Sequence, residues 1–236
     1  MAKSPAHYRY YLEHGTEETA AMRLGTAVHR LVLGGPPVHC FDGERRGKKW
    51  EEFRDNLPGQ LILNAREYDC ARAIASAVKR EAGELLDGCV CEAAIDWEFF
   101  GRPCRSTLDA FKSDAIIELK VSMTADPRYF WLHMAKQHWD AQLSFYERAL
   151  MHATGDDGKR DLYIIAAEPK PPYPVTMFRL PEEARQLGRK KLHAWMEQLL
   201  ACEKNDYWPA YADRVTDLQA PEWVSDELDE EDEEAA

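Results

Sequence analysis

Apolar positions along the chain change their spacing several times, and each change marks a predicted element. Within the first 33 residues, Tyr8, Tyr11 and Leu12 fall on one helical face, and Met22, Leu24, Val28, Leu31 and Val32 recur at helical intervals. Gly34-Gly35-Pro36-Pro37 ends this region, since neither residue type sustains a helix. The polar stretch from Asp42 to Gly59 predicts an exposed loop with some helix, and a helix follows from about Ala65 to Leu86, stopped at Asp87-Gly88. Aromatic and β-branched residues then predict strands over Ala93–Phe100, Cys104–Phe111 and Ala115–Val121, the last two joined by a tight turn around Lys112-Ser113-Asp114. Pro127 opens a predicted helix reaching about Ala153, closed by Gly155-Asp156-Asp157-Gly158. Asp161–Ala167 and Val175–Leu180 predict two more strands, and a last helix runs from about Pro181 to Cys202. With no internal repeat, this order predicts an α/β (α+β) domain around one mixed sheet of about five strands.

Composition changes the picture mainly at the C-terminus. The 236 residues are 45% hydrophobic, which suits one domain over residues 1–205 followed by a C-terminal segment, 206–236. From Glu222 to Ala236 the chain carries nine acidic residues and no basic one, a composition that predicts a solvated, disordered tail. Setting that tail aside, the net charge of −12 falls to about −3, which a local basic groove can overcome. No apolar run approaches the roughly 18 residues of a membrane span, and Met1–His7 lacks the apolar core of a signal peptide, so a cytoplasmic protein is expected. The six cysteines are scattered, which predicts reduced, partly buried thiols. Cys89-Val90-Cys91, with its one-residue gap, fits a strand better than a zinc site.

Candidate chemistry sits on the two central strands. Side chains alternate along a strand, so Glu118 and Lys120 share one face while Ile117, Leu119 and Val121 form an apolar reverse side. A two- or four-residue turn brings Asp109 opposite Glu118 or diagonal to it. Two carboxylates and an ammonium on a strand with a buried back are costly to leave unpaired, and a bound cation resolves that cost. Taken alone, the pattern also fits a surface salt-bridge ladder.

Further segments give that pattern a context. Gly25-Thr26-Ala27-Val28-His29 lies on a predicted helix, and Gln142-Leu143-Ser144-Phe145-Tyr146 lies on the helix after the third strand. The chain opens with Ser4-Pro5-Ala6-His7-Tyr8. Through these motifs, together with Asp109 and Glu118-Leu119-Lys120, the chain resembles the PD-(D/E)xK nuclease superfamily. Within it, the likeness is to the RecB-type and RecE-like (phage lambda exonuclease-like) exonucleases. The resemblance covers roughly residues 4 to 180 and implies a restriction-endonuclease-like core. RecE-like domains carry more sequence ahead of the Ser4–Tyr8 segment than this chain does. Some RecB-type nucleases hold an iron–sulfur cluster through one early and three late cysteines. Here only Cys202 follows Tyr146, so no iron–sulfur cluster is expected.

The resemblance implies a metal-dependent exonuclease that hydrolyses linear double-stranded DNA, with 5′→3′ polarity, in phage-type recombination or repair. Asp109, Glu118, the Leu119 carbonyl and His29 would coordinate Mg²⁺ or Mn²⁺, with Glu92, placed just before the first strand, as a candidate for a second ion. Lys120 would position the attacking water and stabilise developing charge. Gln142 and Tyr146, four residues apart on one helix face, would orient Lys120, the water or the phosphate. For DNA contact, Arg23 stands in an Arg-Leu-Gly similar to one in the lambda-type enzyme, where the arginine meets a 5′ phosphate. Arg105 shares the parity of Asp109, and Arg45, Arg46, Lys48 and Lys49 surround Trp50, a set suited to backbone contact and base stacking. The expected partners are DNA with free ends, further copies of the chain in a ring, and a single-strand annealing protein. The metal core does not encode end-dependence, so a structure-selective endonuclease is an open alternative, as is a non-catalytic binder of DNA ends or recombination proteins.

Overall fold

The computed structural model describes residues 1–218, so the acidic stretch Glu222–Ala236 lies outside the described residues. The chain forms two compact units, one of Met1–Gly15 with the chain from Gln198 onward, the other of Thr16–Glu197. In the first unit, α1 (Pro5–His14) starts where Ser4 accepts a hydrogen bond from the His7 N–H, with Pro5 in the first turn, where its missing donor costs nothing. The Ser4-Pro5-Ala6-His7 segment is therefore a helix start. Inside the same unit, the Ala6 N–H donates to the Pro209 carbonyl at 3.1 Å, and Arg9 pairs with Asp206 at 2.9 Å.

The second unit holds the sheet. Its elements are α2 (Ala20–Leu33), β1 (Val38–Phe41), α3 (Lys48–Asp55), β2 (Leu61–Asn64), α4 (Ala65–Leu86), β3 (Val90–Phe99), β4 (Arg102–Lys112), β5 (Ala115–Val121), α5 (Pro127–Gln137), α6 (Trp139–Thr154), β6 (Asp161–Ala167), β7 (Val175–Arg179) and the start of α7 (Glu182–Asn205). The mixed five-stranded sheet runs β3-β4-β5-β6-β7, parallel only between β5 and β6. Both faces of the sheet are covered. Val28, Ile74 and Val78 of α2 and α4 pack on Ile117, Leu119 and Ile165; on the other side, Phe130, Leu143 and Leu150 of α5 and α6 pack on Ile116, Leu162 and Ile164. This is the sandwiched arrangement that a β–α–β crossover demands, and it explains why Ala115 to Leu119 are all buried.

Three expectations need correction. Two strands were not expected: Val38–Phe41 and Leu61–Asn64, which flank the predicted Asp42–Gly59 loop, pair in parallel as a separate two-stranded sheet. Asn64 ends the second of these and opens α4 through a capping box with Glu67. The single helix expected from Pro127 is two, because His138 adopts a left-handed conformation (φ 58°) between α5 and α6. Finally, β3 begins at Val90, so Glu92 lies inside the strand rather than before it.

Helix α6 is fixed from behind by α7. Glu147 accepts hydrogen bonds from Arg185 and, at 2.9 Å, from Arg189, while Lys191 pairs with the fully buried Asp140 at 2.7 Å. Between these pairs the helices touch at Gly188, where a Cβ would lie 2.2 Å from the Asp140 carbonyl oxygen. Glycine alone fits that approach. No helix among the described residues is long and apolar enough to cross a membrane.

Candidate active site

The site forms where the sheet breaks its own alternation. β3 and β4 pair on both sides of Glu92 and Asp109, with Cys91 opposite Ala110 and Ala93 opposite Leu108, yet Glu92 and Asp109 form no ladder pair themselves. Cys91 and Ala110 pack toward α2 and α4, whereas Ile95 and Leu108, of the same parity, pack toward α6. Both strands therefore exchange faces at this step. The device is Glu92, whose φ of 53° is left-handed in the middle of a strand. For a residue other than glycine that conformation costs roughly 1–2 kcal/mol and is sustained only where the surroundings impose it.

The next strand opens at the same level. β4 and β5 join through a two-residue turn at Ser113 and Asp114, and their ladder runs from Lys112 opposite Ala115 to Ala110 opposite Ile117. One step on, Asp109 takes over the role of the backbone, accepting the Leu119 N–H through Oδ2 at 2.8 Å. Its other oxygen lies 3.4 Å from Nδ1 of His29, which reaches in from α2. His29 Nε2 lies 2.8 Å from the Leu119 carbonyl, so both ring nitrogens have partners on the hairpin. His29, Glu92 and Asp109 each bring one ligand atom within 4.8 Å of the others.

Glu118 is almost fully buried, at 1% exposure, and faces α6. Its Oε1 accepts from the Lys120 ammonium at 2.5 Å and from the Gln142 amide at 2.9 Å. The Gln142 oxygen accepts from Lys120 at 3.0 Å, and its amide nitrogen lies 2.8 Å from the Tyr146 hydroxyl. Gln142 thus ties the acid, the base and the phenol into one network. The Lys120 ammonium also lies 5.6 Å from the centre of the Trp139 ring, a cation–π contact. Trp139 was missed in the sequence, although it stands three residues before Gln142 and so on the same helical face.

A divalent cation fits this donor set. Glu118 Oε2 is buried with no hydrogen-bond partner, an arrangement that is unfavourable unless a ligand completes it. Neighbouring oxygen and imidazole donors suit a hard or borderline ion. The protonation equilibria agree. Burial, then the Asp109 charge, pushes the Glu118 carboxyl up to about 7 against the pull of Lys120. Glu92 is raised for the same two reasons. For His29, burial favours the neutral ring, but the hydrogen bond and charge of Asp109 outweigh it and raise the pKa. Burial also raises the Tyr146 phenol, which therefore stays protonated.

A group whose pKa is raised on folding adds stability below its unfolded value and loses that contribution as pH rises through the folded one. Glu118, Glu92 and His29 run in this direction. Metal-free protein is therefore expected to lose stability as Glu118 passes from its ordinary 4.5 to about 7. Added Mn²⁺ should raise the thermal midpoint more at about pH 8 than at about pH 5, because the ion competes with protons. An equal shift at the two pH values would remove these groups from the binding site.

The expected DNA contacts fare differently. Arg45 donates to Glu67 at 2.7 Å and to the Ile62 carbonyl at 3.0 Å, and Arg23 lies 3.6 Å from the same Glu67. Arg105 pairs across the ladder with Asp96 at 3.2 Å. Arg46 pairs with Glu44, Lys48 lies 3.8 Å from Glu52, and Lys49 is exposed on α3. Trp50 packs edge-on against Phe41 and beneath Arg45. Arg30, next to His29 and not singled out in the sequence, lines a cavity with His29 and Glu92. A basic residue following the histidine of Gly25–His29 was its only signal.

A mixed sheet between helical layers, an acid on each of two hairpin strands, and a lysine two residues beyond the second acid define a PD-(D/E)xK nuclease-like domain. The family profile described as a PDDEXK-like domain of unknown function (DUF3799) matches residues 1–221, and the chain belongs to that family. A solved structure from Eubacterium rectale, described as a "Putative exonuclease", superposes with a TM-score of 0.62 over 90% of this chain and 81% of its own, at 16% identity. That likeness bears on the fold. No curated protein matches the chain.

Proposed function

We propose that the protein is a divalent-metal-dependent exodeoxyribonuclease acting on linear double-stranded DNA. The observation that carries this reading is the buried Glu118, whose one oxygen is shared by Lys120 and Gln142 while the other has no hydrogen-bond partner. His29, Asp109, Glu118 and the Leu119 carbonyl are the groups that would hold Mg²⁺ or Mn²⁺, with Glu92 toward a second ion. Such an ion supplies a more acidic water and neutralises charge on the phosphate.

The chain's own residues do the rest. Lys120 donates N–H hydrogen bonds to the oxygen of the attacking water and to the phosphate oxygen on which charge develops. Gln142 holds that ammonium in place, and its contact with Glu118 keeps the carboxylate turned toward the metal position. Tyr146, a neutral phenol, anchors the Gln142 amide. Because the network is formed before substrate arrives, little reorganisation is needed at the moment of reaction. End-dependence, 5′→3′ polarity, a ring of several copies and a role beside a single-strand annealing protein in recombination rest on the RecE-like resemblance of the chain as a whole, not on the metal-site motifs.

Comparing linear with covalently closed duplex in Mg²⁺ tests the reading. Loss of the linear form alone is the expected result. Nicking of the circle would replace the exonuclease with a structure-selective endonuclease, and inert DNA in both Mg²⁺ and Mn²⁺ would leave a non-catalytic binder.

A further inference from the structure

Arg30 is the cationic side chain that the site has not used. It lies in the last turn of α2 beside His29 and lines a cavity of about 400 Å³ with Thr26, His29, Gly34, Gly35 and Glu92. Its guanidinium makes no hydrogen bond or ion pair among the described residues, and Nη1 is buried without a partner. This sets it apart from Arg23 and Arg45, both engaged by Glu67, and from Arg105, engaged by Asp96. Arg30 is partly exposed, but a guanidinium nitrogen removed from water with nothing to donate to is unfavourable unless an anion completes it.

The backbone beside Arg30 suits close approach by a strand. Gly34 and Gly35 follow α2 with φ values of 95° and 126°, conformations that residues with a Cβ rarely adopt. They present bare backbone, and Gly35 lies beside Arg30, whose Cγ would be in ordinary contact, 3.7 Å, with a Cβ placed there. Thr26 turns its hydroxyl inward to the Met22 carbonyl at 3.0 Å, leaving Arg30 as the donor that faces this space. A planar fork of N–H groups matches a carboxylate or a phosphate, and the uncluttered backbone beside it leaves room for a sugar–phosphate chain, although Glu92 also brings a carboxylate to this cavity.

We propose, resting on the nuclease reading above, that Arg30 and the Gly34-Gly35 turn form a second phosphate subsite. It holds the phosphodiester next to the scissile one on the cleaved strand. The position follows from the shared wall: His29 and Glu92 border both the hydrolytic centre and this cavity. A DNA strand offers a phosphate about every 3.4 Å of helix rise, so an anion site next door falls at the adjacent phosphate. Glu92 separates the two anion positions and keeps the strand in register with the carboxylates.

The test uses linear duplex in which the linkage beside the cut is an uncharged methylphosphonate, under single-turnover conditions. Wild-type protein is expected to slow by about 10- to 100-fold on that substrate, the scale of one charge-assisted hydrogen bond. Arg30→Gln should lose a similar factor on normal duplex and nothing further on the neutral linkage, and Arg30→Lys should recover part of the loss. A neutral linkage that slows Arg30→Gln as much as the wild type would overturn the subsite. If the Arg30 effect appears only on duplex with a 5′-phosphate rather than a 5′-hydroxyl end, the group held is a terminal monoester and the internal assignment falls. Binding of uncleaved duplex in Ca²⁺ separates this inference from the parent reading. Loss of Arg30 should reduce the slope of log affinity against log salt by about one even if no cleavage is ever seen, and an unchanged slope counts against Arg30.

Discussion

Lys120→Ala is expected to lower the rate of DNA cleavage by about 10²- to 10⁴-fold, the range typical of losing a positioned proton donor or charge stabiliser. The loss should fall on turnover rather than on DNA affinity, because Lys120 is half-buried and held within a hydrogen-bonded network with Glu118 and Gln142. The fold should tolerate the change. Glu118 Oε1 keeps its hydrogen bond from Gln142, and a carboxyl already pushed up to about 7 by burial and Asp109 can hold its own proton once the ammonium is gone. Single-turnover cleavage measured beside thermal unfolding decides the matter. A variant that cleaves within a few-fold of wild type would remove Lys120 from the chemistry.

The second large effect is on stability and lies away from the metal position. Glu147→Ala should destabilise the protein by about 3–5 kcal/mol, because it strands a buried guanidinium. Arg185 is 2% exposed; its other contacts are the Arg160 carbonyl and, at 3.9 Å, Glu182. Arg189→Ala, which removes the half-exposed partner of the same carboxylate, should cost about 1 kcal/mol or less. Denaturant unfolding of the two variants gives the contrast directly, and equal losses would show that the network works by packing rather than by charge. Residual activity at low temperature should stay near wild type in both, because neither side chain touches Glu118, Lys120 or Gln142.

How much of this was legible follows from the range over which each feature is determined. The hairpin, its tight turn and the facing of Glu118 and Lys120 depend on residues within a few positions of each other, and they read directly. So did the helical pairing of Gln142 with Tyr146, because a spacing of four is itself the geometry. His29 required the motif context, since its partner Leu119 is 90 residues away. The pairing of Arg45 and Arg23 with Glu67 could not be read locally, because Glu67 lies on α4 and is brought to them only by tertiary packing. The break between α5 and α6 carries no glycine or proline, and a left-handed His138 gives no local signal. The strands β1 and β2 are four residues each, too short for alternation to show.

Least legible of all was the face exchange at Glu92, where an ordinary glutamate takes a backbone shape that its identity does not favour. Its consequence reaches beyond the chemistry. Selection for thermal robustness alone would welcome glycine at position 92, because glycine adopts a φ of 53° without the cost a glutamate meets there. The same exchange would take away one of the three converging donors. Glu92 is thus a place where evolvability and endurance pull apart. A lineage that keeps the acid would accept a weaker fold, and one that drifts to glycine would gain a sturdier scaffold with one fewer donor beside His29 and Asp109.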